Sequence, residues 1–256
     1  MRIRLPGYAR ISAPGARGVV LESCKGALER ILEKESVYGF ASRQEGARKF
    51  EGRAPVYAVE LPEDCGSAVV RRSMRGGALA RFNSDLFLPP TRGLRELITS
   101  LQLRTAGVST PEIIAYVVYR AGVILRRTDV VTRELPGGVD LASLLAADDR
   151  GERRDTILED AAALVAALSR AGAHHPDLNL KNIVITDMTA GEMNASRAHI
   201  LDVDRIRFHI PGDPIVLQAN IDRLERSIRK WRDQRGLVID DIEIQALRAR
   251  TIDLAG

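Results

Sequence analysis

The chain has 256 residues, 45% of them hydrophobic, enough for one large domain or two small lobes, and too apolar for disorder to be the default reading. The formal charge of +4 points toward anionic partners such as nucleotide phosphates or an acidic lipid surface. Aromatic residues make up only 4%, without the basic-aromatic ladder that stacks on bases, so nucleic acid is not expected. Cys24 and Cys65 form neither a metal pattern nor a disulfide framework, which suggests a reducing compartment. The N-terminus lacks the apolar stretch of a secretory signal, and no apolar run approaches the roughly 20 residues needed to span a bilayer. A soluble or peripheral protein is expected.

Val19-Val20-Leu21 is a short apolar run, and residues 27–35 are helical in composition. Residues 56–61 and 68–72 are β-prone, and the turn-rich Pro62-Glu63-Asp64-Cys65-Gly66 between them suggests a hairpin. A loop carrying Arg75-Gly76-Gly77 follows. After Pro89-Pro90, Leu94, Leu97, Ile98 and Leu101 have helical spacing, so a helix is predicted over 91–105, stopped by Gly107. Residues 113–119 and 128–134 read as strands. Pro136-Gly137-Gly138 then serves as a hinge between an N-lobe (1–135) and a C-lobe (136–256).

The second half begins with Asp140 as N-cap of a helix over 141–147, followed by an amphipathic helix over 155–171 that Gly172 ends. Residues 182–186 and 198–201 read as strands, and a helix is predicted from 219 to about 235. There Ile221, Leu224, Ile228 and Trp231 share a face, with Arg223, Arg226, Arg229, Lys230, Arg232 and Arg235 around the rest. Such a helix can lie on an anionic membrane surface. The alternative is that its apolar face packs on the C-lobe and its charges are solvated.

The strongest chemical signal is His175-Pro176-Asp177-Leu178-Asn179-Leu180-Lys181-Asn182, between a helix and a strand. Phosphoryl transfer needs a carboxylate to orient the attacking hydroxyl, and oxygen ligands for magnesium on the nucleotide phosphates. Asp177 fits the base, Asn182 a neutral amide ligand, and His175 a structural anchor of the loop. Leu201-Asp202-Val203-Asp204 ends the next apolar strand. Asp202 can chelate magnesium, and Asp204 can be a second ligand or a structural acceptor. Taken alone, a His-x-Asp loop is common and an Asp at a strand end is most often a turn residue. The ordered combination is much more specific.

In the first half, Glu96 lies on the helix that follows the strand pair, where it can pair with a basic residue holding the ATP phosphates. That strand offers Arg71 and Arg72 but no lysine. Gly52 and Arg53 precede the first β-prone run as a reduced phosphate-side turn, although no Gly-x-Gly-x-x-Gly is present.

These residues resemble the lipopolysaccharide core kinases, specifically the 3-deoxy-D-manno-octulosonic acid (Kdo) kinase family. The resemblance runs from Gly52 to Arg207. It rests on Gly52-Arg53, the 69–77 segment Val-Val-Arg-Arg-Ser-Met-Arg-Gly-Gly, Arg92 to Glu96, and Ala106-Gly107-Val108-Ser109-Thr110-Pro111. It continues through Thr132 to Gly137, His175 to Asn182, and Leu201-Asp202-Val203-Asp204-Arg205. The Arg-Gly-Gly segment and Asn179 are its more discriminating marks. The resemblance implies an α+β, two-lobed protein-kinase-like fold with an antiparallel-sheet N-lobe and a mainly helical C-lobe. It implies ATP with Mg2+, and phosphorylation of a Kdo hydroxyl on a lipid A precursor by a cytoplasmic enzyme at the inner face of the inner membrane. Arg71 then takes the usual lysine's place, a rigid fork instead of a point charge. A heptose or other small-molecule or protein kinase of the same fold, or a pseudokinase scaffold, are the competing readings.

Overall fold

The computed structural model describes residues 5–50, 54–74, 85–87, 93–147, 152–186 and 198–256. They form two compact units: Met1–Ile98 with Glu112–Glu134, and Thr99–Pro111 with Leu135–Gly256.

The first unit is built on a seven-stranded antiparallel sheet. Its strands are β1 (Tyr8–Ala13), β2 (Ala16–Leu21), β3 (Arg48–Phe50), β4 (Val56–Leu61), β5 (Gly66–Arg72), β6 (Ile113–Ala121) and β7 (Leu125–Arg133), in the order β1-β2-β6-β7-β5-β4-β3. Residues that pair across strands point to the same face, and successive residues alternate faces. One face therefore gathers Ile11, Val117, Val131, Ala68 and Val70 against α1 (Lys25–Lys34) and α2 (Val37–Arg43). In α1 the buried residues Ala27, Leu28, Ile31 and Leu32 form a single stripe. Ser36 starts α2 by accepting the Gly39 N–H.

A polar cluster lies within this apolar layer. Asp129 is fully buried. It accepts from Arg72 Nε at 3.1 Å and from the Tyr38 N–H at 3.1 Å, while Tyr119 Oη accepts the Val37 N–H at 3.0 Å. The Arg72 guanidinium lies 4.4 Å from the centre of the Tyr38 ring. Burial pushes the Asp129 carboxyl above the usual range, and Arg72 opposes it. The cluster ties the sheet to α2 and commits Arg72 to the face opposite Arg71.

Cys24 and Cys65 are buried and paired as a disulfide across 41 residues, with Cα atoms 5.5 Å apart. This corrects the expectation of two unpaired thiols. The sequence could not foresee it, because the entrance of α1 meets the β4–β5 turn only once the sheet forms.

Helix α3 (Gly93–Thr105) ends among residues of the second unit. Leu103 and Val108 join that unit's core, Thr110 Oγ1 donates to Ile200 O at 2.8 Å, and the Ile200 N–H donates to Ser109 O at 2.9 Å. Residues 99–111 thus group with the second unit, and the chain changes units at Glu134 and Leu135.

The second unit is mainly helical: α4 (Leu141–Ala147), α5 (Glu152–Arg170), α6 (Pro214–Arg235) and α7 (Asp241–Ala255). A three-stranded sheet joins β8 (Val139–Asp140), β10 (Ile183–Ile185) and β11 (Ala198–Ile200). A two-stranded one pairs β9 (Ala173–His174) with β12 (Arg207–Phe208). Asp140 caps α4 by accepting the Ser143 N–H at 3.0 Å. At Gly172, where φ is +67°, a Cβ would stand 2.5 Å from His209 O, so the chain leaves α5 through a position that only glycine fits. Helix α6 begins at Pro214, five residues before the sequence expectation, because Asp213 caps it and Pro is favoured in a first turn.

The face of α6 proposed for lipid is turned to the core. Ile221, Leu224 and Ile228 are buried, and Trp231 packs against the same cluster. Arg223, Arg229 and Arg232 bind Pro176 O, Glu225 and Asp241. The core-packing alternative describes this helix. Among the described residues no helix is long and apolar enough to cross a membrane.

Candidate active site

In the first unit, β5 alternation sends Arg71 to the face opposite Arg72. There it forms an ion pair with Glu96, in the first turn of α3. Glu96 is 7% exposed and Arg71 29%. Gly93 lets the helix begin close against the sheet, since a Cβ there would lie 3.0 Å from the Tyr116 ring. Gly52, Arg53 and the Arg75-Gly76-Gly77 segment lie outside the described residues.

In the second unit, the segment from His175 to Asn182 is a tight loop fixed from several sides. His175 is fully buried. Its own N–H donates to Asn220 Oδ1 at 3.0 Å, its Nδ1 accepts the Asp177 N–H at 3.3 Å, and its Nε2 lies 3.2 Å from Leu201 O. An accepting Nδ1 leaves the proton on Nε2, which donates to Leu201. Burial holds this imidazole below its usual pKa, against the Leu201 carbonyl and the carboxylates of Asp202, Asp177 and Asp204. The ring is therefore neutral and bridges the Asp177 loop to the strand end that carries Asp202.

Asn179 and Asn182 fold the loop back on itself. Asn179 Nδ2 donates to Asp177 O at 2.8 Å and its Oδ1 accepts the Lys181 N–H at 2.9 Å, capping a 3-10 turn over Leu180–Asn182. Asn182 Nδ2 donates to the same Asp177 carbonyl at 3.0 Å. With its amide nitrogen so engaged, Asn182 turns its Oδ1 elsewhere, as a cation ligand requires. The Leu201 N–H donates to Asn182 O at 2.8 Å, so Asn182 and Asp202 sit at adjacent strand ends. Asp202 is exposed and left-handed, at φ 58° and ψ 45°, a conformation uncommon for a residue with a side chain. It opens the 3-10 turn Val203–Arg205, and Asp204 is half-buried within that turn. One amide oxygen and one exposed carboxylate suit Mg2+, which keeps few protein ligands when it binds phosphates. Among the described residues no cluster of three or more His, Cys, Asp or Glu side chains could hold a metal alone.

Sequence reasoning missed three supports of this loop. Arg205 forms an ion pair with Asp177, both side chains being partly exposed. Asn220, buried on α6, fastens His175 and donates to Ala173 O at 3.0 Å. Ser227 accepts the Leu180 N–H at 3.2 Å. Asn220 was detectable in principle, as a polar residue one position before Ile221 on the apolar stripe.

Residues 43–246 match the family model described as the lipopolysaccharide kinase (Kdo/WaaP) family. The 3-deoxy-D-manno-octulosonic acid kinase of Vibrio vulnificus (strain YJ016) is 29% identical over 200 residues, covering 77% of this chain and 78% of that one. The enzyme of the same name from Xylella fastidiosa (strain M12) is 30% identical over 208 residues, covering 80% and 77%. A solved structure of WaaP in complex with acyl carrier protein aligns with a TM-score of 0.51 at 16% identity, over 94% of this chain and 100% of that one. This likeness concerns the fold, which is α+β and protein-kinase-like. The chain belongs to the lipopolysaccharide kinase (Kdo/WaaP) family.

Proposed function

We propose that the chain transfers the γ-phosphoryl group of ATP to a hydroxyl of a Kdo residue carried on a lipid A precursor, working at the cytoplasmic face of the inner membrane. The carrying observation is that the loop with Asp177 and Asn182 is tied to the strand end with Asp202 through His175, Asn179 and the Leu201 backbone. Family membership and the names of the relatives support the acceptor.

In this reading Asp177 orients the acceptor hydroxyl and takes its proton as the new P–O bond forms. Arg205 holds that carboxylate in place through their ion pair. Asn182 Oδ1 and Asp202 hold Mg2+, which when bound neutralises charge on the nucleotide phosphates. Arg71, fixed by Glu96, places a positive charge for the phosphates in the usual lysine's role.

The test is to incubate the protein with γ-labelled ATP and, separately, Kdo-lipid A precursor, heptosylated core and a generic protein. Label on the Kdo acceptor alone is expected. Label on another acceptor would reassign the substrate, and no transfer to any of them would favour a scaffold.

A further inference from the structure

The β6–β7 hairpin ends in Gly122-Val123-Ile124, between the paired residues Ala121 and Leu125. Gly122, at φ +82°, makes the reversal. A water-facing hairpin tip normally carries polar turn residues. Here Val123 is 93% exposed and Ile124 62%, so two branched aliphatic side chains project from the end of the sheet.

The strands behind the tip are basic. Arg120 and Arg126 are directly opposed across β6 and β7, and like charges so placed destabilise a sheet unless something anionic covers them. Arg126 turns to backbone carbonyls, at 2.7 Å from Leu125 O. The adjoining β1–β2 turn is tied in by the Arg120 N–H, which donates to Gly15 O at 2.8 Å. On that side Arg10 and Arg17 are exposed, with Arg17 paired to Val118. Residues 5–21 and 113–128 contain Arg10, Arg17, Arg120, Arg126 and Arg127 and no aspartate or glutamate. Among the described residues, Asp85, bound to Arg127 at 2.6 Å, is the carboxylate that answers one of the five.

We infer that the tip of the β6–β7 hairpin is a membrane wedge: Val123 and Ile124 enter the head-group region of an anionic bilayer while the arginines behind them bind lipid phosphates. Two aliphatic side chains are too small a patch for a protein interface, which buries on the order of 800 Å² per partner. They are the right scale for a shallow interfacial anchor, and the basic collar supplies the second signal that stable attachment needs. The inference stands on the hairpin and not on the phosphotransfer reading.

The test is cosedimentation of the full chain with vesicles of phosphatidylglycerol and phosphatidylethanolamine, against vesicles of phosphatidylcholine. Wild type should bind the anionic vesicles, release from them at high salt, and ignore the neutral ones. Val123→Ser with Ile124→Ser should weaken binding about tenfold. Arg17→Ala with Arg120→Ala should weaken it about 25-fold. These are exposed positions outside the proposed catalytic machinery, and unchanged circular dichroism and Tm confirm folding. A second measurement uses Val123→Cys labelled with an environment-sensitive dye, the native cysteines being paired and buried. Its emission should shift to the blue on anionic vesicles. No vesicle binding by wild type, equal binding by the variants, equal affinity for neutral lipid, a dye that does not shift, or retention only by an added acidic protein would each overturn the wedge. None of these outcomes depends on kinase activity.

Discussion

Replacing Arg71 by alanine tests the nucleotide role proposed for the Arg71–Glu96 ion pair of the first unit. Glu96 is 7% exposed and Arg71 29%, so the two halves of this ion pair are unequal. Losing the guanidinium takes an ion-pair partner from a buried carboxylate, a change that costs about 3 kcal/mol. Losing the carboxylate leaves an arginine that can still turn to water, which costs about 1–2 kcal/mol. Because both singles break one contact, Arg71→Ala/Glu96→Ala should cost little more than Arg71→Ala, with a coupling energy of at least about 1 kcal/mol. Arg71→Met/Glu96→Leu, which removes both charges and refills the space, should unfold near wild type yet turn over poorly. Urea unfolding supplies the stabilities, and steady-state kinetics supply KM for ATP and kcat. Either alanine single should raise KM and lower kcat, while Arg71→Lys should keep partial activity. Additive losses would mean that the two residues do not act as a unit. Normal turnover by the Met/Leu variant would remove the pair from the nucleotide site.

Four further outcomes follow from the second unit. Asp177→Asn should lower turnover by about two to four orders of magnitude with ATP affinity almost unchanged in equilibrium titration; a folded variant with near-normal turnover would remove Asp177 from the chemistry. Asp202→Ala should abolish Mg2+-dependent nucleotide binding, so calorimetry with and without the ion should give the same trace. Burial holds His175 below its ordinary pKa, so the folded state binds fewer protons than the unfolded one; stability is intact above the ordinary histidine pKa and is lost as pH falls through the folded pKa. His175→Gln should flatten the urea-stability profile on the acid side of the ordinary histidine pKa. Arg154 is 2% exposed and donates to Glu243 at 2.5 Å, Leu145 O at 3.1 Å and Val238 O at 2.6 Å, so Arg154→Met should cost about 3 kcal/mol in urea unfolding while KM for ATP stays fixed.

What could be read from the sequence depended on how local each signal was. Strand β4 was visible at its observed bounds because its β-prone run is bracketed by proline and turn residues. Helices α4 and α5 were visible because Asp140 and Gly172 mark their ends. Strands β8, β9 and β12 have two residues each and no periodicity to detect. Helix α7 went unread because its apolar residues are spread around the helix instead of forming one stripe, although Asp240 and Glu243 form a capping box in which each side chain accepts the other's backbone N–H. The loop residues Asp177, Asn182 and Asp202 could be named from their order along the chain. Arg205 could not be matched to Asp177, because their meeting depends on how β10 and β11 pair. Arg71 was named for the lysine's place from the family resemblance; the engagement of Arg72 by Asp129, 57 residues away, carries no local signal.

The bend at Gly172 matters for how variant libraries of this chain are interpreted. A side chain there collides with the carbonyls of His209 and Ile210, at 2.5 and 2.8 Å, and must also accept a φ of +67°. Every substitution therefore separates the end of α5 from the segment that closes β9 against β12, three residues before His175. In a growth-based screen Gly172 will be as intolerant as Asp177, although it contributes no functional group. Scoring protein abundance beside activity separates the two: Asp177 variants should accumulate as inert protein, and Gly172 variants should be degraded.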